Sequence, residues 1–347
     1  GVREFQFVHD RVQQAAHALD VGPALDALHL AVGMSIWRRT AAGEIDGAVF
    51  SIVDQINHAL PLLAPEQQAD VAALNLKAGL RARGSMAYRA ASTYFETGIG
   101  LLPAEAWQTA YRLSYELHLN LADVYSVLNA EAPFQETIAA LLAEVCAAED
   151  RLAVRICQTA HLCLSSRLFE GLSIGCEGLA EVGIQLPPQH EQDQLVAAFA
   201  AGLEVFRQST QGLDVSEHLY QLPLATDPLS EKIMRLIGAM ADAATITNTP
   251  LLSLLAVIGA NRSLSHGNTP LSPLLYTLLG QGMIANDRAY LGARQLAEVA
   301  MRLADEKLPD LWSYGRARVH QFWFILHWSR HIEISLPQVE DALVVTR

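Results

Sequence analysis

Four basic side chains in the first third of the chain have the chemistry to bind a carboxylate. Lys77 and Arg81 are four residues apart, which places them on one face of a helix, and Arg83 and Arg89 follow nearby. A guanidinium group holds a carboxylate through two parallel hydrogen bonds, so this set is a candidate site for an acidic group of a protein partner. The alternative is that these residues form ion pairs with Asp and Glu residues of the chain itself on a solvated face.

Two residue pairs have the i, i+4 spacing of two metal ligands on one helix face. These pairs are Cys157 with His161, and His327 with His331. No matching second pair stands at metal-site spacing near either of them. The cysteines form no Cys-x-x-Cys pair and all fall in apolar, helix-like stretches, at Cys146, Cys157, Cys163 and Cys176. We therefore expect buried, reduced thiols and neither a bound metal nor another cofactor.

A polar pair near the start of the chain lies at a change of pattern. Residues 5–7 alternate Phe-Gln-Phe, as in a short half-buried strand, whereas residues 8–16 have the apolar spacing of a helix. His9 and Asp10 therefore lie at a strand-to-helix corner. The simplest role for Asp10 is to stabilise unpaired N–H groups in the first turn of the helix.

This corner resembles the end of the winged-helix segment of STAND-type signalling ATPases. In particular, it looks like the large bacterial proteins that join a Ser/Thr kinase or ATPase module to a GAF domain and a sensor histidine kinase. In that class a His-Asp pair is similar to the Met-His-Asp motif, whose His faces the nucleotide phosphates. The resemblance implies that His9 senses nucleotide in the parent protein and that Asp10 orients it. Residues 178–187 and 317–345 also resemble the helical region of this class.

The sequence lacks the motifs of the common phosphate-binding and hydrolytic sites. It contains no Gly-x-x-x-x-Gly-Lys-Ser/Thr loop, kinase signature, nucleophile elbow or His-Glu-x-x-His motif. A triphosphate is usually held by the backbone N–H groups of such a loop. We therefore expect that the chain is not an enzyme itself, and that it is a piece of a parent ATPase or kinase whose ATP-binding half lies upstream.

Composition restricts the partners. The chain has 347 residues, of which 51% are apolar and 18% charged, and its formal net charge is −13. A negative field of this size disfavours nucleic acid and anionic membrane as partners. The longest apolar run, residues 251–260, is well short of the ~20 residues of a spanning helix. We expect a cytoplasmic protein.

Helical periodicity dominates the chain, and Pro and Gly residues divide it into roughly sixteen segments of ordinary helix length. One repeat of about 34 residues is clear. Its small, aromatic and proline positions are 8, 20, 24, 27 and 32, occupied by Gly79, Ala91, Phe95, Gly98 and Pro103. Small residues at positions 8 and 20 allow two helices to approach closely, and Phe95 fills the gap to the next hairpin. Pro103 is expected to start the following helix. Weaker echoes occur at Leu121, Ala122 and Tyr125, at Ala160, Gly171 and Gly178, and at Gly280 and Gly292.

These observations predict an all-α fold, a right-handed α-α superhelix formed by a tetratricopeptide-like solenoid of antiparallel helix hairpins. The solenoid is expected over residues 41–347, after a short winged-helix remnant in residues 1–40. Together with the resemblance, this predicts a non-catalytic regulatory arm of a multidomain bacterial signalling ATPase or kinase, which binds a protein segment on its helical surface. The alternative is a small-molecule effector-sensing domain that controls the adjacent ATPase, for which an enclosed apolar pocket would be evidence.

Two features near the C-terminus complete the expectations. Six aromatic residues have spacings that cover both faces of a helix, which favours an interhelical core over a ligand groove. They are Trp312, Tyr314, Phe322, Trp323, Phe324 and Trp328. Residues 332–345 are amphipathic and have no capping signal. We expect a second copy of the chain to cover their apolar side, or that side to be exposed, at Leu336, Val339, Leu343 and Val344.

Overall fold

The computed structural model describes residues 23–328 and the single positions 331, 333, 336, 337 and 340. Within these residues the chain forms sixteen α-helices and no strand, with one isolated parallel bridge between Leu224 and Asn268. The prediction of an all-α chain of packed helices is therefore confirmed. The predicted strand at residues 5–7 and the His9–Asp10 corner lie outside the described residues.

The helices belong to two compact units, of which the first ends at Glu144 and the second begins at Val145. In the first unit α1 packs on α2, α3 on α4, and α6 on both α4 and α7. The helices of this unit are α1 (Pro23–Arg39), α2 (Ile45–Asn57), α3 (Pro65–Gly84), α4 (Tyr88–Gly100), α5 (Ala106–Thr109), α6 (Tyr111–Val127) and α7 (Glu131–Glu144). The domain boundary that we predicted after residue 40 stays a prediction.

In the second unit the hairpin of α8 and α9 packs on α12, α13 packs on α10 and α14, and α15 packs on α14 and α11. Its helices are α8 (Ala148–Leu164), α9 (Leu168–Glu181), α10 (Gln192–Ser209), α11 (Val215–Gln221), α12 (Pro228–Thr247), α13 (Thr249–His266), α14 (Ser272–Asp287), α15 (Tyr290–Glu306) and α16 (Leu311–His320). A π-helical turn at Gln321–Ile325 and a 3-10 turn at Leu326–Trp328 continue α16. None of the described helices combines the length and hydropathy needed to cross a bilayer.

Three hairpins close through the same backbone turn. In each of them the second residue after the first helix has a positive φ, which is +59° at Met86, +54° at Asn129 and +61° at Ser166. The next N–H then donates to the carbonyl five residues earlier. The bonds are Ala87 to Ala82, Ala130 to Tyr125 and Arg167 to Leu162, each at 2.9 Å. This Schellman arrangement pairs helix-end carbonyls and reverses the chain within a few residues, so the next helix runs back antiparallel.

Small residues set the separation of the helices, as the repeat predicts. A Cβ placed on Gly79 would overlap the ring of Phe95, which is fully buried. Phe95 also belongs to a core cluster with Leu117 and Leu121 of α6, so it fills the gap to the next hairpin. A Cβ on Gly98 would lie 2.7 Å from Leu117 Cδ2. Since glycine alone leaves this space, the predicted roles of these residues in the α3–α4 hairpin are confirmed.

Two details differ from the sequence-based expectation. In the third hairpin a Cβ on Gly171 would lie 2.7 Å from Cys163 Sγ and 3.3 Å from the carbonyl oxygen of Thr159, so Thr159 rather than Ala160 faces this glycine. Pro103 does not begin the next long helix. It lies in a turn before the short helix α5, and α6 begins only at Tyr111.

A buried polar network joins two connections of the second unit. Asn268 Nδ2 donates to the carbonyl oxygen of Leu219 at 2.7 Å, and its Oδ1 accepts from the Tyr276 hydroxyl at 2.6 Å. Its backbone N–H donates to Pro223 at 2.7 Å, and its carbonyl accepts from Ala225 at 2.8 Å. Because these groups are mutually paired, the connection after α11 is held on the α13–α14 turn without a buried unpaired polar group at Asn268.

The close helix contact predicts a sharp contrast between two glycines of α3. Gly79→Ala should lower the free energy of unfolding by about 1–3 kcal/mol, because the new methyl group meets the Phe95 ring. Gly84→Ala is the matched control, since a Cβ there meets nothing within 4 Å. It should leave stability unchanged or raise it by up to about 1 kcal/mol. Urea denaturation of the two variants measures both values, and equal destabilisation would contradict the packing described.

The hairpin turn predicts a stabilising substitution. Met86 is 77% exposed and has a left-handed φ of +59°, so its side chain contributes little packing while its Cβ strains the backbone. Met86→Gly should raise the free energy of unfolding by about 0.5–1 kcal/mol, since glycine removes that strain. Met86→Ala retains the Cβ and should give no such gain. Thermal denaturation of both variants tests this, and a gain for alanine alone would refute it.

Candidate functional site

The first two basic residues of the predicted partner site contact α2. Lys77 Nζ lies 2.9 Å from Asp46 Oδ1, and Arg81 donates to the backbone carbonyl of Asp46. The Arg81 guanidinium also lies over the ring of Phe50, 5.2 Å from its centroid. Both cations are thus engaged with the neighbouring helix. The Lys77–Asp46 pair is exposed, and exposed pairs contribute only about 0–1 kcal/mol, so a competing carboxylate can exchange with Asp46 at little cost.

The other two basic residues differ from each other. Arg83 Nη1 lies 3.2 Å from Asp123 Oδ2, which ties the end of α3 to α6. Arg89 is exposed in the first turn of α4. The four residues are therefore distributed over contacts with α2 and α6 and over the start of α4, and binding of an acidic partner by this set stays a prediction.

Two tyrosines of the same unit use surface carboxylates to join helices. The Tyr94 hydroxyl donates to Asp54 at 2.7 Å, and the Tyr125 hydroxyl donates to Glu96 at 3.0 Å. Burial, followed by the hydrogen bond to a carboxylate, raises the pKa of Tyr94 and raises the pKa of Tyr125 to about 12. Both phenols therefore remain neutral donors near neutral pH, and each bond connects one hairpin to a neighbouring helix.

The cysteines only partly follow the expectation of buried thiols. Cys157 is buried and Cys163 and Cys176 are half-buried, whereas Cys146 is exposed in the connection between α7 and α8. The expectation was wrong for Cys146 because α7 ends at Glu144 and Val145 takes the buried position. Among the described residues no group of three His, Cys, Asp or Glu side chains has the arrangement of a metal site.

The aromatic stretch of the C-terminal helices is more exposed than predicted. Phe322 is buried, but Trp323 is 62% and Trp328 57% exposed, and Trp312 and Phe324 are also exposed. Tyr290 at the start of α15 contacts Trp328, with the ring centroids 5.4 Å apart and the ring planes tilted by 47°. The prediction of an interhelical core is therefore wrong for most of this stretch. Helix α16 gives way to a π-helical turn at Gln321–Ile325, which shifts the helical register on which the two-face prediction relied.

One histidine of this region is buried. His320 is 6% exposed, and its Nδ1–H donates to Gln281 Oε1 of α14 at 2.9 Å. Burial lowers the pKa of His320 to about 4, with smaller and opposing effects of Asp242 and Arg316. The imidazole is therefore neutral near neutral pH and joins α16 to α14.

An open cleft of about 350 Å³ lies beside α9. Its floor is a helical stripe of Ser173, Cys176, Glu177 and Ala180, and its wall is the irregular segment of residues 185–189. Gln189 Nε2 reaches across to Ser173 Oγ at 3.3 Å and to Cys176 Sγ at 3.9 Å. Burial is the main reason that the pKa of Cys176 is raised, to about 11.

This cleft was not predicted from the sequence, although a local sequence pattern indicates how it forms. Gly183, two residues after the end of α9, has a φ of +86°, and the N–H of Ile184 donates to the carbonyl oxygen of Leu179 at 2.9 Å. Ile184 and Leu186 then pack toward the core, with Gln185 exposed between them. A helix-ending glycine, an alternating Ile-Gln-Leu and two prolines together indicate a stiff extended segment beside the helix that precedes it.

Comparisons with known proteins give one distant similarity. No protein-family model matches the chain, and no solved structure matches it. The chain is similar to the curated protein "Hybrid signal transduction histidine kinase G" of Dictyostelium discoideum, with 20% identity over an alignment of 382 residues. The alignment covers 98% of this chain and 11% of that relative, so the chain spans about one tenth of the relative's length. This similarity supports a relation to signal-transduction proteins.

The buried histidine predicts a pH-dependent stability. Its pKa is about 4 in the folded chain and about 6.5 when unfolded, so between these values the unfolded chain binds more protons. Stability should therefore fall as the pH is lowered from 6.5 to 4, by up to about 3 kcal/mol from this residue. His320→Gln should flatten that part of the profile, whereas His190→Gln, at an exposed position, should not. Urea denaturation at several pH values checks this, and identical slopes for the two variants would contradict it.

Proposed function

We propose that this chain is a non-catalytic helical arm of a multidomain signal-transduction protein and that it binds a protein segment on its surface. The observation that carries the proposal is the similarity of nearly the whole chain to one tenth of a hybrid histidine kinase. A helical region of this extent within a much longer signalling protein is suited to connecting other modules. The parent protein is proposed to be an ATPase or kinase, and the chain is proposed to act in the cytoplasm.

The chemistry of the thiols supports a non-catalytic role. A nucleophilic cysteine usually has a pKa lowered by a neighbouring cation or a helix N-terminus. Burial instead raises the pKa of both Cys163 and Cys176. These two thiols are therefore protonated and weakly nucleophilic near neutral pH, which suits structural residues better than catalytic ones.

The exposed aromatic residues support an interaction role. Trp323 and Trp328 lie within one short stretch after α16, and Leu291, near Tyr290 at the start of α15, is 73% exposed. Large exposed apolar side chains in proximity commonly mark contact surfaces. The tightly packed hairpins keep such side chains at fixed positions, so an occupied surface can bias a neighbouring module between two states.

A protein segment fits the geometry better than a small-molecule effector does. A small-molecule sensor is expected to enclose most of its ligand in an apolar pocket. The cleft beside α9 is open to solvent and is lined by a carboxylate, amides and a thiol, at Glu177, Gln185, Gln189 and Cys176. An open cleft with this mixed lining suits a polypeptide segment better than a small apolar ligand.

Phosphorylation assays test this function in the complete reading frame that encodes the chain. The isolated chain should neither hydrolyse ATP nor transfer a phosphoryl group. In the complete protein, Gly79→Val, which forces α3 and α4 apart, should change the autophosphorylation rate by about five-fold or more, the size of a typical allosteric coupling. Gly84→Val, at a position with open space, is the matched control and should change it little.

Three outcomes would contradict the proposal. ATP hydrolysis by the isolated chain would make it an enzyme. A reading frame that encodes no ATPase or kinase module would remove the proposed parent protein. Unchanged autophosphorylation in the folded Gly79→Val protein would show that the arm does not communicate with the catalytic module.

A further inference from the structure

We propose that the cleft beside α9 binds an extended polypeptide segment that carries a Lys or Arg side chain. This inference rests on the proposed function, because it names the kind of partner and the surface that receives it. Four features of the cleft carry it: a shallow helical floor, a wall held at both ends, main-chain groups in that wall that pair with no other backbone, and a carboxylate that has room for a second cation.

The floor is one stripe of α9. Ser173, Cys176, Glu177 and Ala180 are spaced i, i+3, i+4 and i+7, so they lie on one face of the helix. Three of the four have small side chains. This face of the helix therefore projects little, which leaves room for the backbone of a partner segment to lie along it. The floor therefore has the shape of a channel parallel to the helix rather than of a deep hole.

The wall is fixed at both of its ends. At its start the N–H of Ile184 donates to the carbonyl oxygen of Leu179 at 2.9 Å, and at its end the carbonyl of Gln189 accepts from Asn248 Nδ2 at 2.9 Å. Between these bonds the side chains of Ile184 and Leu186 pack against the core of the unit. Two consecutive prolines, at 187 and 188, restrict the backbone further. A preorganised wall loses little conformational freedom when a partner binds.

The middle of this wall has main-chain groups that are not used within the protein. Among the described residues, the N–H and C=O groups of Gln185 and Leu186 make no hydrogen bond to another backbone group. An exposed extended segment with unpaired main-chain groups is the surface on which a second extended segment adds by backbone pairing. This points to a polypeptide occupant, because a polypeptide supplies both donors and acceptors at matching intervals.

The charge of the cleft selects the side chain. Glu177 is the one ionisable carboxylate that lines it, and its side chain is 57% exposed. Its nearest cation, Arg155, lies 3.5 Å from one carboxylate oxygen, whereas Arg155 lies 2.6 Å from Glu181. Glu177 is thus the weaker of the two partners of Arg155 and can accept another cation. The net charge of −13 also favours the approach of a basic segment.

Protection of Cys176 tests the inference on the purified chain. The probes are two short extended peptides, acetyl-Thr-Val-Lys-Val-Thr-amide and its analogue with Glu at the centre. Alkylation by iodoacetamide is followed at each cysteine by mass spectrometry, with the exposed Cys146 as internal reference. At a concentration a few times its Kd, the Lys peptide should slow alkylation of Cys176 about five-fold. It should leave Cys146 unchanged, and the Glu peptide should protect neither residue.

Two matched pairs of variants locate the contacts. Glu177→Gln should abolish the preference for the Lys peptide, whereas Glu204→Gln, at an exposed carboxylate of α10, should retain it. Gln185→Pro removes one backbone N–H and should weaken protection, whereas Gln185→Ala retains that N–H and should not. Circular dichroism confirms that each variant is folded.

Several results would overturn the inference. These are equal protection by the two peptides, no protection by either, and an unchanged Lys preference in Glu177→Gln. Equal protection in folded Gln185→Pro and Gln185→Ala proteins would refute main-chain pairing. If any of these results is obtained while autophosphorylation still responds to Gly79→Val, peptide binding in the cleft is refuted. The proposed regulatory role of the chain is then retained.

Discussion

The structure depends on helices that approach one another more closely than side chains would normally permit. A Cβ placed on Gly175 would lie 2.5 Å from Met240 Sδ, and one on Gly178 would lie 2.9 Å from Leu236 Cδ2. These two glycines of α9 therefore bring the α8–α9 hairpin against α12. Close packing of this kind maximises dispersion contacts, and it makes each hairpin sensitive to a single added methyl group. The close helix packing thus both makes the hairpins rigid and makes their stability sensitive to added side-chain volume.

The α3–α4 hairpin could be predicted from the sequence because its determinants are local. Gly79, Ala91 and Phe95 have a spacing that positions them on facing helix surfaces whatever the rest of the chain does. The exposure of Trp323 and the position of Cys146 could not be predicted in this way. Both depend on where a helix ends or changes register, and on which neighbour, if any, covers the resulting face. The cleft depends on the same kind of information, since it is formed by α9 and the segment after it, and that segment is held by the distant Asn248.

Ion pairs in the first unit show how an acidic chain uses its few basic residues. Lys77 and Arg83 each join α3 to a different helix, α2 through Asp46 and α6 through Asp123. Individually such exposed pairs contribute little to stability. Each pair uses one of the chain's few basic side chains. Because Asp and Glu outnumber Lys and Arg, most of the charged groups outside these pairs are carboxylates. This balance of charge agrees with the basic segment that we propose for the cleft of the second unit, which is lined by the Glu177 carboxylate.

Asn248 connects the wall of the cleft to the helices of the second unit. Its Nδ2 donates to the carbonyl of Gln189 in the wall, while its Oδ1 accepts from the N–H of Leu251 at 3.1 Å and so caps α13. Asn248 also follows the last residue of α12, which packs on both α8 and α9. One side chain therefore connects the wall of the cleft to the corner between two core helices. Asn248 is itself buried, and its backbone N–H also donates to the carbonyl oxygen of Ala244 at 2.8 Å, so a shift of the wall cannot be absorbed there by a loose loop. An occupant of the cleft must either leave the wall in place or move the start of α13 with it.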